Sequence, residues 1–126
     1  MLSKPKVPIV TLEEHYWDEE LSATFTGYDQ GAPPETHKRL LDIGELRLAT
    51  MDEAGIDIQV LSHTAPSTQK LPAETAAALA RRVNDRLAAA IKRHPTRFAG
   101  RQFLRRRRGV REHLHVDAGL VHRREA

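Results

Sequence analysis

Val7-Pro8-Ile9-Val10-Thr11-Leu12-Glu13-Glu14-His15 runs from apolar, β-branched residues straight into two carboxylates and an imidazole. Residues 7–12 read as a buried strand. Pro8 belongs early in that strand, or at a position that needs no amide donor. Side chains on a strand alternate between its faces. Glu13 and His15 therefore share one side, about 7 Å apart along the chain, and Glu14 turns away. A carboxylate and an imidazole converging at a strand end form half of a divalent-metal site, which usually takes three protein ligands or more. A solvated strand end is the plainer alternative, because two-residue patterns are common.

The chain downstream repeats the strand in a regular rhythm. Residues 16–36 are polar, contain Gly27, Gly31, Pro33 and Pro34, and hold most of the aromatics: Tyr16, Trp17, Phe25 and Tyr28. They read as a long loop, and a loop of that length is usually functional or disordered. Its aromatic richness favours function, although Trp17 and Phe25 suit a loop core equally well. Asp42-Ile43-Gly44-Glu45 has the spacing of a capping box. It opens a helix to about Ala54, with Ile43, Leu48 and Met51 on one face and Gly55 in the left-handed terminal position. Ile56-Asp57-Ile58-Gln59-Val60-Leu61 alternates as a second strand and ends in Ser62-His63-Thr64-Ala65-Pro66. A second helix opens near Pro72 and carries the stripe Leu79, Val83, Leu87 and Ile91. His94-Pro95 stops it, and Arg97-Phe98-Ala99-Gly100 begins a third strand. Strands alternating with helices imply an α/β fold with a parallel sheet. Its chemistry is expected in the long loops at the carboxyl ends of the strands.

Composition bounds the rest. With 126 residues the chain fits one ordinary domain, and with no cysteine it has neither disulfides nor thiolate metal sites. No apolar run approaches the roughly 18 residues of a membrane span. The basic start Met1–Lys6 precedes too short an apolar run for a signal peptide, so a cytoplasmic location and no membrane partner are expected. The net charge of +3 is unevenly spread. Residues 1–100 carry 12 Lys+Arg against 14 Asp+Glu, whereas residues 101–126 carry 8 Arg, no Lys and 3 acidic residues. The basicity belongs to that tail and not to the fold.

Several segments together resemble one family. They are Val10-Thr11-Leu12-Glu13-Glu14-His15, Arg39-Leu40-Leu41-Asp42-Ile43, Arg47-Leu48-Ala49-Thr50-Met51-Asp52-Glu53-Ala54-Gly55-Ile56, Val60-Leu61-Ser62, Ala65-Pro66, Ala80-Arg81-Arg82-Val83-Asn84-Asp85 and Arg93-His94-Pro95-Thr96-Arg97-Phe98. In order and spacing they resemble the amidohydrolase-related, metal-dependent decarboxylases and hydrolases typified by γ-resorcylate and 2,3-dihydroxybenzoate decarboxylases. The resemblance covers roughly residues 7–100. It implies a TIM (β/α)₈ barrel with a divalent metal, Zn²⁺ or Mn²⁺, at its carboxyl-terminal mouth. It matches Glu13 and His15 to the metal ligands of the first strand. It also places Tyr28, Thr64 and Ala65 near a bound aromatic carboxylic acid, and implies a homo-oligomer. Further ligands and the proton-transfer residues come from later strands in that family. The Glu-x-His start leans toward the decarboxylase branch; a hydrolase of the same superfamily is the alternative.

A complete barrel takes about 250 residues. This chain is therefore expected to hold an N-terminal fragment: two βα units and a possible third strand in residues 1–100. An irregular, Arg-rich tail follows in residues 101–126, disordered or derived from a frameshift. Without the later residues, the chain alone is expected to be inactive and to bind the metal weakly or not at all. Two readings of other classes remain. Arg105-Arg106-Arg107-Arg108 with its flanking arginines fits nucleic-acid binding by counterion release, but it lacks interleaved aromatics, so specific recognition is not expected. A truncated subunit that associates with a complete homologue is the other.

Overall fold

The computed structural model describes residues 7–100 of the chain. The tail and every expectation attached to residues 101–126 lie outside the described residues. Three strands, β1 (Val10–Tyr16), β2 (Ile58–His63) and β3 (Phe98–Gly100), form one sheet in the order β1-β2-β3, and both pairings are parallel. Four helices accompany them: α1 (Glu19–Ser22), α2 (Pro34–Leu41), α3 (Glu45–Ala54) and α4 (Ala73–Arg93). A 3-10 turn spans Gly27–Gln30. No helix among the described residues is long and apolar enough to cross a membrane.

Alternation along β2 organises the packing. Gln59, Leu61 and His63 are buried, and Ile58, Val60 and Ser62 between them are half-buried. Leu61 clusters with Tyr16, Met51 of α3, Leu87 of α4 and Phe98 of β3, so both helices cover that face of the sheet. A second cluster joins Trp17, Leu21 and Phe25 to Leu79 and Val83 of α4. The stripe read at steps of four along α4 is thus shared between two cores. The opposite face of the sheet carries no helix from residues 7–100, and Val10 and Leu12 of β1 are exposed on it.

Three expectations change. The first strand is Val10–Tyr16 and not residues 7–12, so Glu13 and His15 lie within it. Its apolar residues are not a buried run, because Val7 and Leu12 are largely exposed. Residues 16–36 are no open loop: α1, the 3-10 turn and the start of α2 occupy them, and Trp17 and Phe25 pack edge-on at 5.6 Å inside the second core. α2 opens on Pro34 in its first turn, where a missing N–H costs nothing. The capping box does not form, because the N-cap of α3 is Gly44 and not Asp42. α3 starts at Glu45, but Asp42 Oδ1 reaches forward to accept the N–H groups of Gly44 at 3.0 Å and Arg47 at 2.9 Å. Gly55 ends α3 at φ 71°, the left-handed conformation expected of it.

Candidate functional site

Parallel strands present their carboxyl ends together, and here the polar residues gather. His15 pairs in register with Ser62, and Tyr16 with His63. Thr64 then donates its N–H to the Tyr16 carbonyl at 3.4 Å, which sets the loop after β2 beside the end of β1. Ala65 follows, exposed, joined to Pro66 by a cis peptide bond. Lys70 forms an ion pair with Asp29, tying that loop to the 3-10 turn that carries Tyr28. Tyr28 itself is 96% exposed, so nothing among the described residues packs on its ring.

Glu13 and His15 are both exposed, and Glu14 between them is half-buried. Residues 13–15 alternate as read from the sequence, but Leu12 and Glu13 are both exposed, which uninterrupted alternation does not produce. The register slips between Thr11 and Glu14, so Leu12 and Glu13 together stand opposite Val60. Glu13 sits in that bulge with φ 58°, a left-handed conformation. Bulges bend a strand and re-aim its side chains, and they occur often beside active sites. Glu14 turns to the helix side, where its Oε2 accepts from Gln59 Nε2 at 3.3 Å.

Arg47 is the residue that sequence reasoning missed. Its guanidinium donates to the backbone carbonyls of Asp42 at 2.8 Å, His15 at 3.1 Å and Arg39 at 3.2 Å, and to Gln59 Oε1 at 3.2 Å. Burial lowers its pKa, against the pull of the Glu14 and Asp42 carboxylates. An arginine amid apolar helix residues was the only sequence signal; of its four acceptors, His15 lies 32 residues away and Gln59 12.

His63 closes β2. It is buried on the helix side because it shares the parity of Gln59 and Leu61 on β2. Its Nε2 accepts the Asp18 N–H at 2.8 Å, and Nδ1 lies 3.0 Å from the Thr64 carbonyl. Asp18 in turn receives a two-pronged contact from Arg86, at 2.6 and 2.8 Å. Burial acts to raise the Asp18 pKa, but the Arg86 hydrogen bond and the Leu21 N–H outweigh it and hold the carboxyl below its ordinary range. Arg86 and Arg82 also bind Glu20, so α1 is fastened to α4 by charge. These groups build the scaffold and stand on the face away from His15.

The arrangement offers two donors, one carboxylate at the middle of β1 and one imidazole near its carboxyl end. Among the described residues no cluster of three or more His, Cys, Asp or Glu side chains is placed to hold a metal ion. A carboxylate and an imidazole are donors of the type such an ion takes, and Glu13 with His15 does not complete a ligand set.

Comparison with known proteins gives this geometry a lineage. No family model matches the chain. It is 42% identical over 93 residues to a γ-resorcylate decarboxylase from Polaromonas sp. strain JS666, and 41% identical over 93 residues to one from Rhodococcus jostii strain RHA1. Each match covers 72% of this chain, and the chain spans 28% of the length of these curated relatives. Among solved structures, a 5-carboxyvanillate decarboxylase from Novosphingobium aromaticivorans, complexed with manganese and a nitro-substituted hydroxybenzoic acid, superposes with a TM-score of 0.72 at 30% identity. That superposition covers 79% of this chain and 34% of the other. A dihydroxybenzoic acid decarboxylase from Polaromonas sp. JS666, with manganese and 2-nitroresorcinol, gives 0.68 at 38% identity, covering 77% and 30%. The sheet and helices thus match part of a TIM-barrel-like amidohydrolase fold, as the sequence implied. By sequence and by fold, the chain is a homologue of the γ-resorcylate decarboxylases and their amidohydrolase-fold relatives, matching about a third of their length.

Proposed function

We propose that residues 7–100 supply the opening βα units of a metal-dependent, non-oxidative decarboxylase of aromatic, dihydroxybenzoate-like carboxylic acids. Glu13 and His15 are its first-strand metal ligands. The observation that carries this reading is a Glu-x-His pair exposed in the carboxyl half of β1, in a chain 42% identical over 93 residues to a γ-resorcylate decarboxylase. Carboxylate and imidazole suit Mn²⁺ or Zn²⁺, and both solved relatives above hold manganese. When bound, the ion polarises a carboxylate or phenolate oxygen. In this reading Thr64 and Ala65 border the substrate from the loop after β2, and Tyr28 from the turn tied to that loop. Decarboxylation also needs an acid to protonate the ring carbon. In this reading that acid comes from a later strand, and the chain alone is expected to show no appreciable turnover. A barrel part in residues 1–100, a basic tail in 101–126, a cytoplasmic location and a homo-oligomeric assembly belong to the same proposal.

The test is a Mn²⁺ titration of the isotope-labelled chain followed by NMR. Resonances of residues 13–15 and 62–65 are expected to broaden first, and Glu13→Ala with His15→Ala to remove the effect. Broadening scattered over the acidic surface, or indifferent to those substitutions, overturns the assignment.

A further inference from the structure

A left-handed conformation is unfavourable for an L-residue and persists only when the surroundings over-determine it. Glu13 holds one inside β1, at φ 58°. The two residues that follow it are both anchored on the helix side. Glu14 Oε2 accepts from Gln59 Nε2 at 3.3 Å, and the His15 carbonyl accepts from Arg47 Nη2 at 3.1 Å. The two anchors are themselves joined, because Arg47 Nη1 donates to Gln59 Oε1 at 3.2 Å. Arg47 is fixed from behind by the carbonyls of Asp42 and Arg39, at 2.8 and 3.2 Å. One planar fork therefore connects the end of α2, the start of α3, β1 and β2.

We propose that Arg47 and Gln59 are positioning residues for the Glu13/His15 pair: by tethering Glu14 and the His15 carbonyl to the helix layer, they hold the bulge that leaves both donors on the open face. This rests on the metal-ligand reading above. The fork geometry is the essential property. A lysine ammonium, a point charge on a flexible stem, cannot span these four acceptors. Groups that orient metal ligands in this way commonly change metal affinity by about 10- to 100-fold when replaced.

The experiment compares the full chain with its Arg47→Met, Arg47→Lys and Gln59→Leu variants by NMR. Two quantities are read: the strong amide-to-Hα Overhauser effect that marks φ near +60° at Glu13, and the Mn²⁺ concentration that half-broadens His15. Arg47→Met is expected to weaken the Overhauser effect and to raise the Mn²⁺ requirement about tenfold, with no rescue by Arg47→Lys. Gln59→Leu, which removes fewer contacts, gives the same direction if Arg47→Met does not fold. A folded variant that keeps both the Overhauser effect and the wild-type titration overturns the proposal. If His15 of the unaltered chain does not respond to Mn²⁺, the metal reading falls. The Overhauser comparison then decides the positioning role by itself.

Discussion

His63 Nε2 accepts the backbone N–H of Asp18 at 2.8 Å, which requires a neutral imidazole with its proton on Nδ1, facing the Thr64 carbonyl. Protonation would set an N–H against an N–H. Burial is the main cause that lowers the His63 pKa from its ordinary value near 6.5; the Thr64 contact and Asp18 oppose it, and His15 adds to it. The unfolded chain therefore binds a proton more readily than the native one. Its contribution to stability is complete above pH 6.5 and is lost as the pH falls from there toward the lower native value. The urea midpoint is expected to drop between pH 7 and pH 5, and His63→Gln to flatten that slope. A midpoint with the same slope in both proteins would refute this account of His63.

Asp18 fastens three elements. Its carboxylate takes both prongs of Arg86, and its Oδ1 accepts the Leu21 N–H at 3.1 Å to cap α1. Arg86 is partly exposed, so water screens the pair and reduces its worth. Asp18→Ala should still cost about 2 kcal/mol, combining a lost cap with a broken half-buried ion pair. Chemical denaturation of the variant checks this, and a cost within error of zero would contradict it.

Glu13 carries backbone strain where glycine would not. A left-handed residue other than glycine costs roughly 1–2 kcal/mol, offset in part by the extra freedom that glycine loses on folding. Glu13→Gly is therefore expected to stabilise the chain by ~0.5–1 kcal/mol while weakening Mn²⁺ binding at His15. Stability gained together with metal affinity lost is the signature of strain kept for function. A destabilised Glu13→Gly variant would remove that interpretation.

The open face of the sheet and the β1 edge set the handling of the chain. Leu12 is 70% exposed on β1, an edge strand among the described residues, and such edges template aggregation. Leu12→Lys should reduce light scattering at high concentration and change stability by no more than ~0.5 kcal/mol. Undiminished scattering would place the sticky surface elsewhere.

Regular elements were legible in the sequence because local rules govern them. Gly55 ends α3 as a left-handed cap, and Leu79, Val83 and Leu87 form the buried stripe of α4. What escaped is what only tertiary structure decides. The slip between Thr11 and Glu14 leaves no mark on periodicity, so the strand was drawn too early and its alternation taken as unbroken. α2 was hidden among loop-like residues, and Trp17 and Phe25 stayed open between loop core and function because Leu79 and Val83, which bury them, lie far along the chain. The burial of His63 was not legible for the same reason. Its partner Asp18 is 45 residues away. The Glu13/His15 pair was visible at once, whereas the Arg47–Gln59 clamp behind it was not.

The most direct measurement of the central claim uses a chimera. Residues 7–100 replace the matching segment of the Polaromonas γ-resorcylate decarboxylase, and decarboxylation of 2,6-dihydroxybenzoate is assayed with bound manganese quantified in the same preparation. The account predicts a folded chimera that binds manganese and turns over, and loss of both properties on His15→Ala or Glu13→Ala. A folded chimera whose manganese content and turnover survive those two substitutions would contradict it.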